Sequence, residues 1–131
     1  YQNWIQTMTP ESRKEEWLAG IRAAQDECLR KGVTSFQDAG TKFREVTWYK
    51  ELDAADSLRL NLWTMLRHSH DEMAAKISEY GLPHYGNRFT CAAIKTELDG
   101  ALGSYGAWLI EPYFDNPGFV GQNTTLVATV D

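Results

Sequence analysis

Segments with helical spacing alternate with short β-rich segments three times along this chain, and that alternation restricts the fold more than any other feature. Strands separated by helices pair in parallel through right-handed crossovers, so the order predicts an α/β fold. The first helix is expected over residues 9–31. Thr9-Pro10-Glu11 supplies a hydroxyl cap, a proline at the first helical position and an acid in the first turn. Trp17, Ile21, Ala24 and Cys28 recur on one stripe, and Gly32 ends the helix behind Arg30 and Lys31. Residues 33–37 predict a short buried strand that stops at Asp38-Ala39-Gly40. A second helix is expected over residues 42–55, with Phe43, Val46, Tyr49 and Leu52 turned inward.

Residues 58–66 alternate strictly: Leu58, Leu60, Leu62, Thr64 and Leu66 face one way, and Arg59, Asn61, Trp63 and Met65 the other. Ser69-His70-Asp71-Glu72 reads as a capping box opening a third helix over 71–80, which Gly81 stops. Residues 83–87 are expected to be a loop, 89–98 a third strand, and 99–121 a long ordered loop. Three parallel strands leave two sheet edges open, which an isolated domain seldom tolerates. The expectation is a piece of a larger protein, or a partner or second copy that covers those edges by self-association. Tyr1 at the start and the strand-like residues 124–130 just before Asp131 favour the first of these.

The chain has 131 residues, 43% hydrophobic and 24% charged, a composition suited to one packed domain. Its net charge of -5, with the basic residues scattered, argues against nucleic acid as a partner. No apolar run or leader pattern points to a membrane. Cys28 and Cys91 read as two buried thiols in a reducing, cytoplasmic setting, with a disulfide as the alternative.

Chemistry in α/β sheets and barrels collects where strands end. Those ends carry Gln37-Asp38, Arg67-His68-Ser69-His70 and Glu97-Leu98-Asp99-Gly100. Strand alternation puts Lys95 on one face with Cys91, Ala93, Glu97 and Asp99, and turns Ile94 toward the helices. A lysine in a central strand is costly unless it is paired or modified. One reading pairs it with Glu97 or Asp99. The other has its neutral amine take up carbon dioxide as a carbamate, an anionic ligand able to bridge two divalent metals. His68-Ser69-His70 reads as a metal pair or as a solvated loop pair, and Asp38 and Asp99 as groups that orient a ligand or that cap loops. Trp108, Tyr113, Phe114 and Phe119 read as packing of the long loop or as a pocket wall.

Ile94-Lys95, Asp99-Gly100-Ala101-Leu102-Gly103-Ser104 and Glu111-Pro112-Tyr113-Phe114-Asp115-Asn116-Pro117-Gly118 together resemble the metal-dependent amidohydrolase superfamily. The branch resembled is amidohydrolase family 3, the YtcJ-like group, and the Gly32–Gly40 segment matches its preceding strand signature. The resemblance implies a (β/α)8 TIM barrel of which residues 1–131 hold about strands two to four. It implies hydrolysis of C–N bonds in small amide or cyclic amide substrates, with one or two divalent metals, typically zinc. By position Lys95 matches the strand lysine that bridges metals once carbamylated, with Asp99 and Asp38 supporting the site. His68 and His70 follow the Gly-Val-Thr segment, whereas the family's His-x-His pair precedes it, so they are not given that role. A chain lacking the other ligands is expected to be inactive alone. The rival reading is a non-catalytic α/β module retained for binding or assembly.

Overall fold

In the computed structural model, which describes residues 8–123, Thr9 Oγ1 accepts a hydrogen bond from Ser12 N at 3.2 Å and opens helix α1, Pro10–Arg30. The remaining order is β1 (Ser35–Thr41), α2 (Phe43–Ala54), β2 (Asn61–Leu66), α3 (His70–Lys76), β3 (His84–Tyr85) and β4 (Phe89–Ile94), followed by a single 3-10 turn at Leu102–Ser104. The sheet order is β1-β2-β4-β3. β1, β2 and β4 run parallel, and β3 lies antiparallel against β4. Parallel strands alternating with helices are the α/β pattern of a partial (β/α)8 barrel.

All three helices pack on one face of the sheet. The alternation in residues 58–66 holds throughout: Leu58, Leu60, Leu62, Thr64 and Leu66 are each at most 7% exposed. They meet Phe43, Val46 and Tyr49 of α2, Met73 of α3, and Phe89 and Cys91 of β4. Trp17 of α1 packs edge-on against Tyr49, with ring centroids 4.7 Å apart, and so joins the first helix to the second. Gln25 is buried at this turn of α1 and the expected Ala24 is exposed, because Gln25 Oε1 accepts from Arg59 N at 2.6 Å. A buried backbone donor there needs that acceptor.

Several boundaries differ from the sequence expectation. The β1 strand runs on through Asp38-Ala39-Gly40 and is largely exposed, because it is an edge strand of this sheet. The third helix ends at Lys76, after which residues 77–81 form turns closed by Gly81 at φ +57°. The expected loop at 83–87 contains β3, a two-residue strand. The third parallel strand ends at Ile94, four residues before the predicted end. The strand-like residues 124–130 lie outside the described residues. No helix among the described residues is long and apolar enough to cross a membrane.

The β3–β4 hairpin is held from behind by Asp53 of α2. Its Oδ2 accepts from Asn87 N at 2.9 Å and its Oδ1 from Arg88 N at 2.8 Å. Both bonds are charge-assisted, so Asp53→Ala is expected to cost about 1–2 kcal/mol in urea unfolding. Asp53→Asn, which keeps one acceptor, should recover part of that loss. An unchanged midpoint for the alanine variant would show that the clamp contributes nothing.

Candidate functional site

The backbone ladder continues one residue past each parallel strand. Arg67 N donates to Thr41 O at 3.0 Å, and Lys95 N donates to Leu66 O at 2.7 Å. These bonds set Lys42, Arg67 and Lys95 side by side across the sheet's C-terminal edge. Lys42 Nζ donates to Arg67 O. Arg67 Nη2 pairs with Glu97 Oε2 at 2.6 Å and ties the end of β2 to the segment after β4. The edge therefore carries three cationic side chains, with the carboxylate of Glu97 paired to Arg67 and that of Glu45 accepting from Lys42 N at 2.8 Å.

Lys95 reaches this edge by way of an irregularity that plain alternation does not show. Thr64 is opposite Cys91, but Met65 is opposite Ala93, so Ala92 is an extra residue in β4. A bulge of this kind reverses which residues face which side. Cys91 is buried in the helix layer, 1% exposed, and burial pushes its thiol pKa up. Ala93 and Lys95 fall on the other face, with Trp63 and Met65. The expectation that Lys95 shares a face with Cys91 is thus corrected, while its separation from Ile94 stands. Lys95 is half-buried and forms none of the ion pairs seen among the described residues. Glu97 is engaged by Arg67, and Asp99 Oδ2 accepts from Trp108 N at 2.9 Å.

Asp38 is not brought to Lys95. Its register partner is Thr64, which is fully buried beneath the helices. Asp38 Oδ1 accepts from Gly40 N at 2.9 Å and Oδ2 from the Thr41 hydroxyl at 2.7 Å. These bonds span the bulge between Asp38 and Thr41. Asp99 is exposed and latches the long loop. Beyond its bond to Trp108, it forms an antiparallel bridge with Asn123. Of the loop aromatics, Tyr113 is buried and Phe119 half-buried, with Tyr113 donating to Ala107 O at 3.0 Å. Phe114 and Trp108 are exposed, so the loop-packing reading holds for only half of that cluster. Gly121 closes the loop where a Cβ would lie 1.9 Å from Ala107 O.

The two histidines part company. His70 is exposed at the start of α3. His68 stacks on Phe43 at 4.4 Å, with its Nε2 accepting from Phe43 N at 2.9 Å and its Nδ1 bonded to Glu72 Oε2 at 2.8 Å. Since Nε2 accepts, the ring proton sits on Nδ1 and is donated to Glu72. His68 thus joins the first turns of α2 and α3 on the helix side, away from Lys95, and neither the metal pair nor the solvated pair describes it. The apolar His68–Phe43 contact was not visible locally, because 25 residues separate the partners. Ser69 still caps α3, accepting from Glu72 N at 3.3 Å, but the Glu72 carboxylate turns to His68 instead of completing a capping box.

That bond gives a pH test. The His68 hydrogen bond, aided by Lys76, holds the Glu72 carboxyl below its ordinary value of 4.5. A depressed folded pKa adds stability above the unfolded pKa and loses it as pH falls through the folded one. Amide protection at the start of α3 is therefore expected to fall between about pH 5 and pH 3. Hydrogen exchange of Glu72→Gln should show a flatter profile over that window; an identical profile would dismiss the coupling.

Among the described residues no group of three or more His, Cys, Asp or Glu side chains could hold a metal ion. Lys95 alone does not make a metal site.

Comparison with known proteins agrees with the fold. Two solved structures, uncharacterized metal-dependent hydrolases from Pyrococcus horikoshii OT3 and Pyrococcus furiosus, superpose with TM-scores of 0.75 and 0.73. They are 29% and 28% identical over 86% and 91% of this chain. The chain spans only 23% and 24% of their lengths. No curated protein matches. The model of the amidohydrolase family matches residues 2–130. With nearly the whole sequence inside that match, the chain belongs to the amidohydrolase family.

Proposed function

We propose that this chain supplies about strands two to four of the catalytic barrel of a metal-dependent hydrolase acting on non-peptide C–N bonds of small amide or cyclic amide substrates. The observation that carries the reading is the family match across residues 2–130, joined to the position of Lys95. The bulge at Ala92 delivers that lysine to the sheet face opposite the helices, which a closed barrel would enclose. Lys95 would serve as one metal ligand, as a carbamate whose negative charge lies in the same row as the cationic Lys42 and Arg67. Divalent metal, zinc in this proposal, supplies Lewis acidity and an activated water when bound by the longer protein. Asp99 would support the site by holding the long loop, and Asp38 by bracing the β1 bulge behind it. The described residues do not complete a ligand set, so this chain alone is proposed to be inactive. Its exposed β1 edge is the surface for the rest of the barrel or for self-association.

Metal analysis of the longer protein tests this. About one to two divalent ions per chain are expected, and none for residues 1–131 alone. A metal-free longer protein that hydrolyses nothing would favour the binding-module reading.

A further inference from the structure

Between α1 and the helix-facing side of β1 and β2 lies a cavity of about 130 Å³. Its wall is largely apolar, with Ile21, Cys28, Leu58, Leu60 and Leu62 among the lining residues. Ala24 and Phe36 at its rim are exposed, so it is reachable from solvent. Three polar side chains also line it: Gln25, whose Oε1 is taken by Arg59 N, Tyr49 and Asp38. Tyr49 is only 5% exposed, and none of the side-chain hydrogen bonds described above uses its hydroxyl, which is not among the fully buried unsatisfied atoms. Burial, with the Asp38 and Glu45 carboxylates adding to it, keeps that hydroxyl protonated and therefore a donor. A donor at a cavity wall that no protein group engages is open to a water or a ligand.

We propose that this cavity binds one small neutral molecule, an apolar ring carrying a hydroxyl, of the phenol class. The volume sets the size, since an apolar cavity of about 150 Å³ accepts benzene. The hydroxyl oxygen of the ligand accepts from Tyr49, and its proton is tolerated by the Asp38 carboxylate. An anionic ligand of the same size is rejected, because its charge would face Asp38 across an apolar wall. Asp38 also holds Gly40 N and the Thr41 hydroxyl, so occupancy is felt at the β1 bulge. The inference does not depend on the hydrolase reading.

Titrating the 131-residue chain with phenol, toluene and benzoate, followed by amide ¹H–¹⁵N spectra, tests it. Phenol is expected to give saturable shifts at Cys28, Leu60 and Gly40, and benzoate none. Ala24→Phe, a filling change at an exposed helix position, should weaken phenol at least about tenfold. Tyr49→Phe should weaken phenol about tenfold and leave toluene unchanged, as expected for loss of one hydrogen bond. The proposal is overturned by the absence of saturable shifts, by shifts that survive Ala24→Phe, by benzoate binding as tightly as phenol, or by equal losses of phenol and toluene in Tyr49→Phe.

Discussion

Phe89→Ala is expected to lose about 3–5 kcal/mol of stability, the largest effect of any single truncation in this chain. Phe89 is fully buried and stacks on Tyr49 at 5.1 Å, where β4 meets α2. It lies opposite Leu62, so its ring fills the layer between the parallel strands and the helices. Removing it leaves a cavity that the flanking strand, tied to β2 and β3, cannot close. Small domains are stable by only about 5–15 kcal/mol, so much of the margin would disappear. Urea unfolding followed by tryptophan fluorescence measures it, with Tyr85→Ala at an exposed position as the comparison, expected within about 0.5 kcal/mol. A loss below about 1 kcal/mol for Phe89→Ala would contradict the register of β4 described above.

Lys95→Arg in the longer protein is expected to remove bound metal and to reduce hydrolysis by at least about 100-fold, beyond the 10–100-fold seen when only a ligand's supporting group is lost. Arginine keeps the charge and most of the length, so the backbone bond from Lys95 N to Leu66 O and the fold should persist. What it cannot do is present a neutral amine, because its pKa lies above about 12. The carbamate reading therefore separates from a simple ion-pair reading, in which arginine would substitute well. Metal content by elemental analysis, taken with circular dichroism to confirm the fold, decides between them. Unchanged metal in a folded Lys95→Arg protein would end the proposal that this side chain is a ligand.

The elements that the sequence revealed most clearly are those whose signal is local. Thr9 with Pro10 opens a helix because the cap bond forms within three residues. The inward set from Leu58 to Leu66 is legible because a two-residue period repeats without interruption. The β3 strand at His84–Tyr85 was missed because it exists only through pairing with Cys91 and Thr90. The capping box at Ser69 was half right, since its glutamate found a stronger partner in His68.

The candidate site divides in the same way. Sequence alone identified Lys95 as the unusual residue, because a lysine in an apolar strand demands an explanation wherever it points. It also identified the family, through motifs that are contiguous in the chain. Which face Lys95 occupies was decided only by the tertiary structure. The extra residue at Ala92 reverses the alternation between Cys91 and Lys95, and its placement depends on how β4 registers against β2. Asp38 was likewise named from its place at a strand end but turned toward the helices by its register with Thr64. Residue type and spacing are carried by the chain itself, whereas register is set by which neighbouring strand and helix each side chain packs against.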